Sequence, residues 1–157
     1  FLSSAWHFAN LITKLTMTTS KTTTSWKGKM QFESTNPSGE TFLINAAAEN
    51  GGEGAGLRPK SMMLSALAGC SGIDLASLIE KMKLEVTDFN IVVEAELTEE
   101  HPKIYDKVKV DYHFYGPDLD EKKLQKVVDL SVDKYCGVME MFRQFAKVEV
   151  AIFYHKV

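Results

Sequence analysis

The sequence holds two cysteines, and each sits in local sequence that could put a thiol to use. Cys70 closes the run Ser65-Ala66-Leu67-Ala68-Gly69-Cys70 inside a long apolar stretch, and Cys136 follows Lys134-Tyr135 at the end of an amphipathic one. Two thiols at helix-associated positions can be a redox couple, a structural bridge, or two small core residues that merely pack. The redox reading makes the heaviest demand, because the attacking species is the thiolate. A free thiol, with a pKa of about 8.5, needs positive charge nearby to ionise at neutral pH, and apolar surroundings push the other way. Two cysteines are too few for a secreted disulfide scaffold at this length, so a reducing, cytoplasmic setting is expected, with any disulfide transient. The histidines His7, His101, His113 and His155 are scattered without ligand spacing, so neither a metal nor another cofactor is expected.

The elements that would position the thiols follow from hydropathy patterning. Trp26, Gly28, Met30 and Phe32 alternate with polar residues, the period of a half-buried strand, and Asn36-Pro37-Ser38-Gly39 turns the chain into a return strand at Phe42-Leu43-Ile44. Trp26 is expected to anchor that first strand. Residues 49–57 form a glycine-rich loop without a phosphate-binding pattern. Glu49 and Glu53 belong to its solvated acidic surface. Pro59 suits a first helical turn, and from Met62 to Ile79 apolar residues fall on every face, which predicts a helix buried nearly all round. Its charge-free stretch Ser61–Ile73 is thirteen residues, short of the roughly 18 needed to span a bilayer, so no membrane association is expected.

Two alternating strands follow, with Phe89, Ile91, Val93, Ala95 and Leu97 on one inner face and Val108, Val110, Tyr112 and Phe114 on the other. His113 falls on a polar face. Each strand has one wet side, as in an antiparallel sheet. Asp118-Leu119-Asp120-Glu121 reads as a capping box for a helix carrying Leu124, Val127, Val128, Ser131 and Tyr135 inward. A helical piece at Met139–Gln144 follows, with Glu140 and Arg143 as a surface pair, and a strand with Val148, Val150, Ile152 and Tyr154 closes the chain. The order predicts an α+β fold in one domain, residues 17–157, with antiparallel sheets around a central helix. Residues 1–16 are apolar, lack the basic start of a signal peptide, and precede Met17, so they read as an extension or as a helix docking on a partner surface. The net charge of −3 and the absence of interleaved basic and aromatic residues argue against nucleic acid.

The segment Pro59 to Cys70, then Asp74 and the helix to Lys83, together with Lys134-Tyr135-Cys136 after an amphipathic helix, resembles the OsmC/Ohr family over residues 24–157. The resemblance implies an intertwined homodimer, with two central helices enclosed by sheets from both chains and a thiol site at each interface. In the peroxidase members the first cysteine attacks an organic hydroperoxide and becomes a sulfenic acid. The second closes a disulfide that a dithiol reductant reopens; by position these are Cys70 and Cys136. Those members also resemble one another in an arginine from the N-terminal strand–loop region, held by a glutamate ten residues before the first cysteine. Here no arginine precedes Arg58, and position 60 is Lys60. Two readings therefore stand beside each other. Arg58 and Lys60 could supply the counter-charge for a Cys70/Cys136 hydroperoxide reductase. Alternatively, the chain belongs to the OsmC-like branch and binds a small apolar or thiol-reactive ligand at the dimer interface without peroxidase turnover.

Overall fold

A computed structural model describes residues 19–157, so the expectations for residues 1–16 lie outside the described residues. The described chain forms two compact units that divide after Gly56.

The first unit is an antiparallel meander of β1 (Thr23–Gly28), β2 (Gln31–Thr35) and β3 (Thr41–Asn45). The alternation at Trp26–Phe32 is not one strand but a hairpin. Gly28 (φ 106) and Lys29 (φ 46) lie in the left-handed region and turn the chain over. Period-two patterning passes through such a turn unchanged, because it carries no information on the sign of φ. Trp26 is 68% exposed and donates its indole N–H to the Lys29 carbonyl at 2.9 Å. Glu53 pairs with Lys29. At Gly52 a Cβ would stand 1.9 Å from the Ala46 carbonyl oxygen, so the glycine-rich loop folds back on its own backbone.

The second unit opens with α1 (Pro59–Lys81) and continues through β4 (Asp88–Leu97) and β5 (Tyr105–Gly116). It then runs through α2 (Glu121–Leu130), a π-helical turn (Ser131–Tyr135), α3 (Gly137–Arg143) and β6 (Lys147–Lys156). β5 is the centre of a three-stranded sheet, antiparallel to β4 and parallel to β6. The parallel pairing departs from the all-antiparallel expectation. Its cause is the helical crossover between β5 and β6, which carries the chain from Gly116 back to the end of the sheet where β5 began, so that Lys147 pairs beside Lys107.

Five inward residues of β5 (Tyr105, Val108, Val110, Tyr112, Phe114) meet Leu67 and Leu75 of α1 in the core. Leu124, Val127 and Val128 of α2 and Met139 and Phe142 of α3 complete it. By length and composition α1 is the one helix among the described residues that could cross a membrane. In this fold its Leu67 and Leu75 are fully buried against the sheet and helices. The rest of α1 departs from the expectation of burial all round. Ile73 is 73% and Met63 43% exposed, and Ala66, Gly69 and Ala76 share the open surface.

The cap of α2 is Asp120, which accepts from the Lys123 N–H at 3.1 Å, rather than Asp118. His113 is not simply solvated: its Nδ1 and His155 Nε2 are 2.9 Å apart across the β5–β6 pair.

Candidate functional site

The site forms where α1 meets the end of α2. In a regular α-helix Ser131 would be followed four residues later by Tyr135 on the same face, as the spacing predicts. Instead the last turn is widened, and the Cys136 N–H donates to the Ser131 carbonyl at 2.8 Å, an i→i+5 bond. That extra residue turns Tyr135 outward to 49% exposure and brings Cys136 in to 4%. Cys136 Sγ then caps α3, accepting from the Met139 N–H at 3.4 Å.

Cys70 stands half-buried on the facing side of α1. The two thiols, remote in sequence, come near enough to influence each other electrostatically and are unbridged. Burial pushes the Cys136 thiol up to about 11. The Met139 N–H pulls against that shift, while Cys70 and Asp74 add to it. At neutral pH Cys136 is therefore a thiol.

Small residues make the approach possible. Ser71, next to Cys70, is fully buried; its Oγ lies 2.7 Å from the Tyr112 hydroxyl and 2.9 Å from Ser131 Oγ. Ser131 Oγ in turn donates to Asp74 Oδ2 at 3.1 Å. Asp74 is one helical turn beyond Cys70, on the same face of α1. The turn that delivers Cys136 is thus fastened to the helix that carries Cys70, at residues flanking the thiol. Burial also raises the Tyr112 phenol above its usual range. The Ser71 hydrogen bond opposes this, Cys136 and Asp74 add to it, and Arg143 opposes it.

Arg143 is not the surface partner of Glu140. Its Nη1 donates to the Val132 carbonyl at 2.9 Å and its Nη2 pairs with Asp133 Oδ1 at 3.0 Å, holding the π-helical turn from the far side. Glu140 bonds Gln144 instead. Sequence reasoning placed Ser131 among the inward helical positions. The usable signal was a hydroxyl on each of three core-facing positions, 71, 112 and 131, which have to find partners once buried.

The other two expected site residues lie elsewhere. Arg58 is the N-cap residue of α1, and Lys60 sits in its first turn. Ten residues at 1.5 Å each put Lys60 about 15 Å from Cys70 along the helix axis, so a single chain does not bring them together. Lys60 instead lines a cavity of about 260 Å³ with Met63, Lys103, Ile104, Tyr105 and Phe145. Among the described residues, no group of three or more His, Cys, Asp or Glu side chains is arranged to hold a metal.

Comparison with known proteins places this arrangement. The sequence model of the family described as OsmC-like protein matches residues 51–151. Protein YhfA of Escherichia coli (strain K12) is 30% identical over 123 residues, 78% of this chain and 89% of that protein. Among solved structures, a hypothetical protein from Aquifex aeolicus VF5 is similar at TM-score 0.79 and 26% identity, over 90% of this chain and 99% of that one. An organic hydroperoxide resistance protein OsmC from Legionella pneumophila shares the fold at TM-score 0.66 and 16% identity, over 87% of this chain and 98% of that one.

Proposed function

The chain belongs to the OsmC-like family, and from that premise we propose that it reduces organic hydroperoxides through Cys70 and Cys136. The observation that carries the reading is the juxtaposition of two free thiols by a π-helical turn that buries one of them against the other's helix. The Cys70 thiolate attacks the terminal oxygen of the hydroperoxide, the O–O bond breaks, the alkoxide leaves and takes a proton from solvent to become the alcohol, and Cys70 becomes a sulfenic acid. Cys136 then displaces the hydroxyl to form a disulfide, which a dithiol reductant reopens by exchange. Structures of this fold include proteins named for organic hydroperoxide resistance, which is in keeping with that chemistry.

The thiolate at Cys70 needs a cation, and a second copy of the chain can provide it. The open apolar stripe of α1 (Met63, Ala66, Gly69, Ile73, Ala76) is a surface that a homodimer would cover. Two α1 helices crossing antiparallel near Ser65 set residue 60 of one opposite residue 70 of the other. Lys60, with Arg58 two residues before it at the N-cap, then supplies the counter-charge in trans.

The test is direct. Reduced protein is mixed with cumene or tert-butyl hydroperoxide, and thiol loss and disulfide formation are followed by mass. A Cys70–Cys136 disulfide that forms rapidly and is absent in Cys70→Ser supports the reading. No reaction at millimolar peroxide within an hour overturns it.

A second reading rests on the Lys60 cavity. It is lined by Met63, Ile104, Tyr105 and Phe145 together with Lys60 and Lys103. That suits a small apolar ligand with an anionic end, bound without turnover. Saturable binding of such a ligand to a protein inert towards peroxides would favour it.

A further inference from the structure

The outer face of the β4–β5–β6 sheet carries four rings that the thiol chemistry does not use. His113 follows the buried Tyr112 in β5, so it projects to the face away from the core. The parallel register of β5 and β6 sets His113 beside Phe153 and Tyr115 beside His155. Each imidazole stacks on its cross-strand partner, His113 on Phe153 with centroids 4.7 Å apart and His155 on Tyr115 at 4.6 Å. Asn90 of β4 donates to the Tyr115 hydroxyl at 3.3 Å and steadies that end of the block. Both histidines are half-buried. Stacking covers one face of each imidazole and leaves the edges, where the nitrogens are, free to meet.

They meet end to end. His113 Nδ1 and His155 Nε2 are 2.9 Å apart, the ring planes lie within 15° of each other, and the centroids are 5.2 Å apart. That centroid distance is the nitrogen separation extended by one ring radius on each side, so both nitrogens lie on the line joining the ring centres. The lone pair of a ring nitrogen points radially outward in the ring plane. The two lone-pair axes are therefore collinear and opposed, and in the neutral pair one N–H fills the space between them.

We propose that His113 and His155 form a linear two-coordinate site for Cu(I), which takes the place of the shared proton. The ring that donated this proton carries it on its outer nitrogen instead, His113 Nε2 or His155 Nδ1. Both histidines stay neutral, no proton is released, and the copper keeps its oxidation state. Geometry selects the ion. Zn(II) in a structural site takes four protein ligands. Here Asp111, next on this face of β5, is held by Lys109 at 2.7 Å, and among the described residues no three His, Cys, Asp or Glu side chains are arranged for a metal. A divalent ion at a square-planar corner would stand well off both lone-pair axes. A linear ion needs only two ligands on one axis. With metal–imidazole bonds of about 2.0 Å, the rings have to draw apart by about 1 Å along that axis. Each can slide over the face of its aromatic partner to do so, because offset stacking is as favourable as full overlap. The site stands independently of the hydroperoxide reading.

Thiols are also soft ligands for Cu(I), so the test uses the Cys70→Ser/Cys136→Ser protein, its folding checked by thermal melting. Under nitrogen, Cu(I) is added and then competed with a chromogenic Cu(I) chelator. One equivalent should be held, and X-ray absorption should show two nitrogen ligands at a single short distance with the edge feature of linear Cu(I). His113→Gln and His155→Gln should each weaken binding by more than the roughly 10–100-fold that loss of an outer-shell partner costs. His101→Gln, in the loop between β4 and β5, should leave binding unchanged.

If the thiol-free protein does not fold, the chain with both cysteines decides the matter. His113→Gln/His155→Gln should then hold one copper equivalent fewer than wild type, and an equal count overturns the site. In the folded thiol-free protein, no bound Cu(I), or binding that survives both histidine substitutions, overturns it. Three or more ligands in the absorption spectrum, or Zn(II) held as tightly as Cu(I), overturns the linear geometry and the proposal with it.

Discussion

A double-mutant cycle on Ser71 and Ser131 tests whether the hydroxyl chain is one cooperative unit. Ser71→Ala removes the 2.7 Å bond to Tyr112 and the 2.9 Å bond to Ser131, and leaves the Tyr112 hydroxyl orphaned at 0% exposure. Two lost bonds at about 1 kcal/mol each, plus the cost of a buried polar group with no partner, give a destabilisation of about 3 kcal/mol. Ser131→Ala also removes two bonds, but Asp74 is partly exposed and can be rehydrated, and Ser71 keeps Tyr112. Its cost is about 2 kcal/mol. The double variant should cost about 4 kcal/mol rather than the sum of the singles, because the shared Ser71–Ser131 bond is lost only once, a coupling of about 1 kcal/mol. For a chain of this size, 1 kcal/mol is about 2–4 °C in Tm, so Ser71→Ala should melt about 6–12 °C below wild type. Thermal and urea unfolding of the four proteins at equal concentration measure the cycle, with the exposed Ser77→Ala as a neutral control. Strictly additive costs, or single variants within about 0.5 kcal/mol of wild type, would refute the network as drawn.

Three further outcomes follow from the same geometry. Because burial holds Cys136 at about 11, above the thiol's unfolded value, its neutral form supports the fold fully below about pH 8.5, and that support is lost as pH rises through about 11. Alkylation of Cys136 should therefore lag a model thiol until strongly alkaline pH, and alkaline unfolding should be blunted in Cys136→Ala; reactivity already complete at pH 8 would contradict this. Ile73→Asp places a charge on the open stripe of α1, so the mutant should sediment as a monomer where wild type sediments as a dimer. Equal sedimentation of the two would remove α1 from any interface. Lys60→Gln and Arg58→Gln, at the start of α1, should each slow hydroperoxide attack on Cys70 by about tenfold while leaving disulfide closure unchanged. Unaltered attack in the double variant would show that the counter-charge comes from elsewhere.

Much of the fold was legible in the sequence because its strands and helices are marked by strong local patterning. The inward residues of β5 and those of β4 from Phe89 to Ala95, the helix from Pro59 and the amphipathic helix before Cys136 lie where periodicity placed them, while Leu97, expected inward, is 42% exposed beyond a register shift at Glu96–Leu97. Three features were not legible, each for a local physical reason. The hairpin at Gly28–Lys29 hides inside an unbroken alternation, because hydropathy is blind to φ. The parallel partner of β5 depends on where the crossover lands, and hydropathy does not encode strand direction. The exposed stripe of α1 is as apolar as its buried side, so composition alone could not show which face a single chain leaves open.

At the site, the sequence by itself determined the chemistry on offer: two thiols, their helical settings, a family likeness, and the displaced cations at Arg58 and Lys60. Only the tertiary structure decided which groups meet. One extra residue in the turn Ser131–Tyr135 rotates Cys136 inward in place of Tyr135, and that rotation depends on Ser131 finding Ser71 and Asp74 on another element. Helical spacing carries the period of an isolated helix. The departure from it is stabilised by hydrogen bonds to residues more than fifty positions away, and so it belongs to the packed molecule.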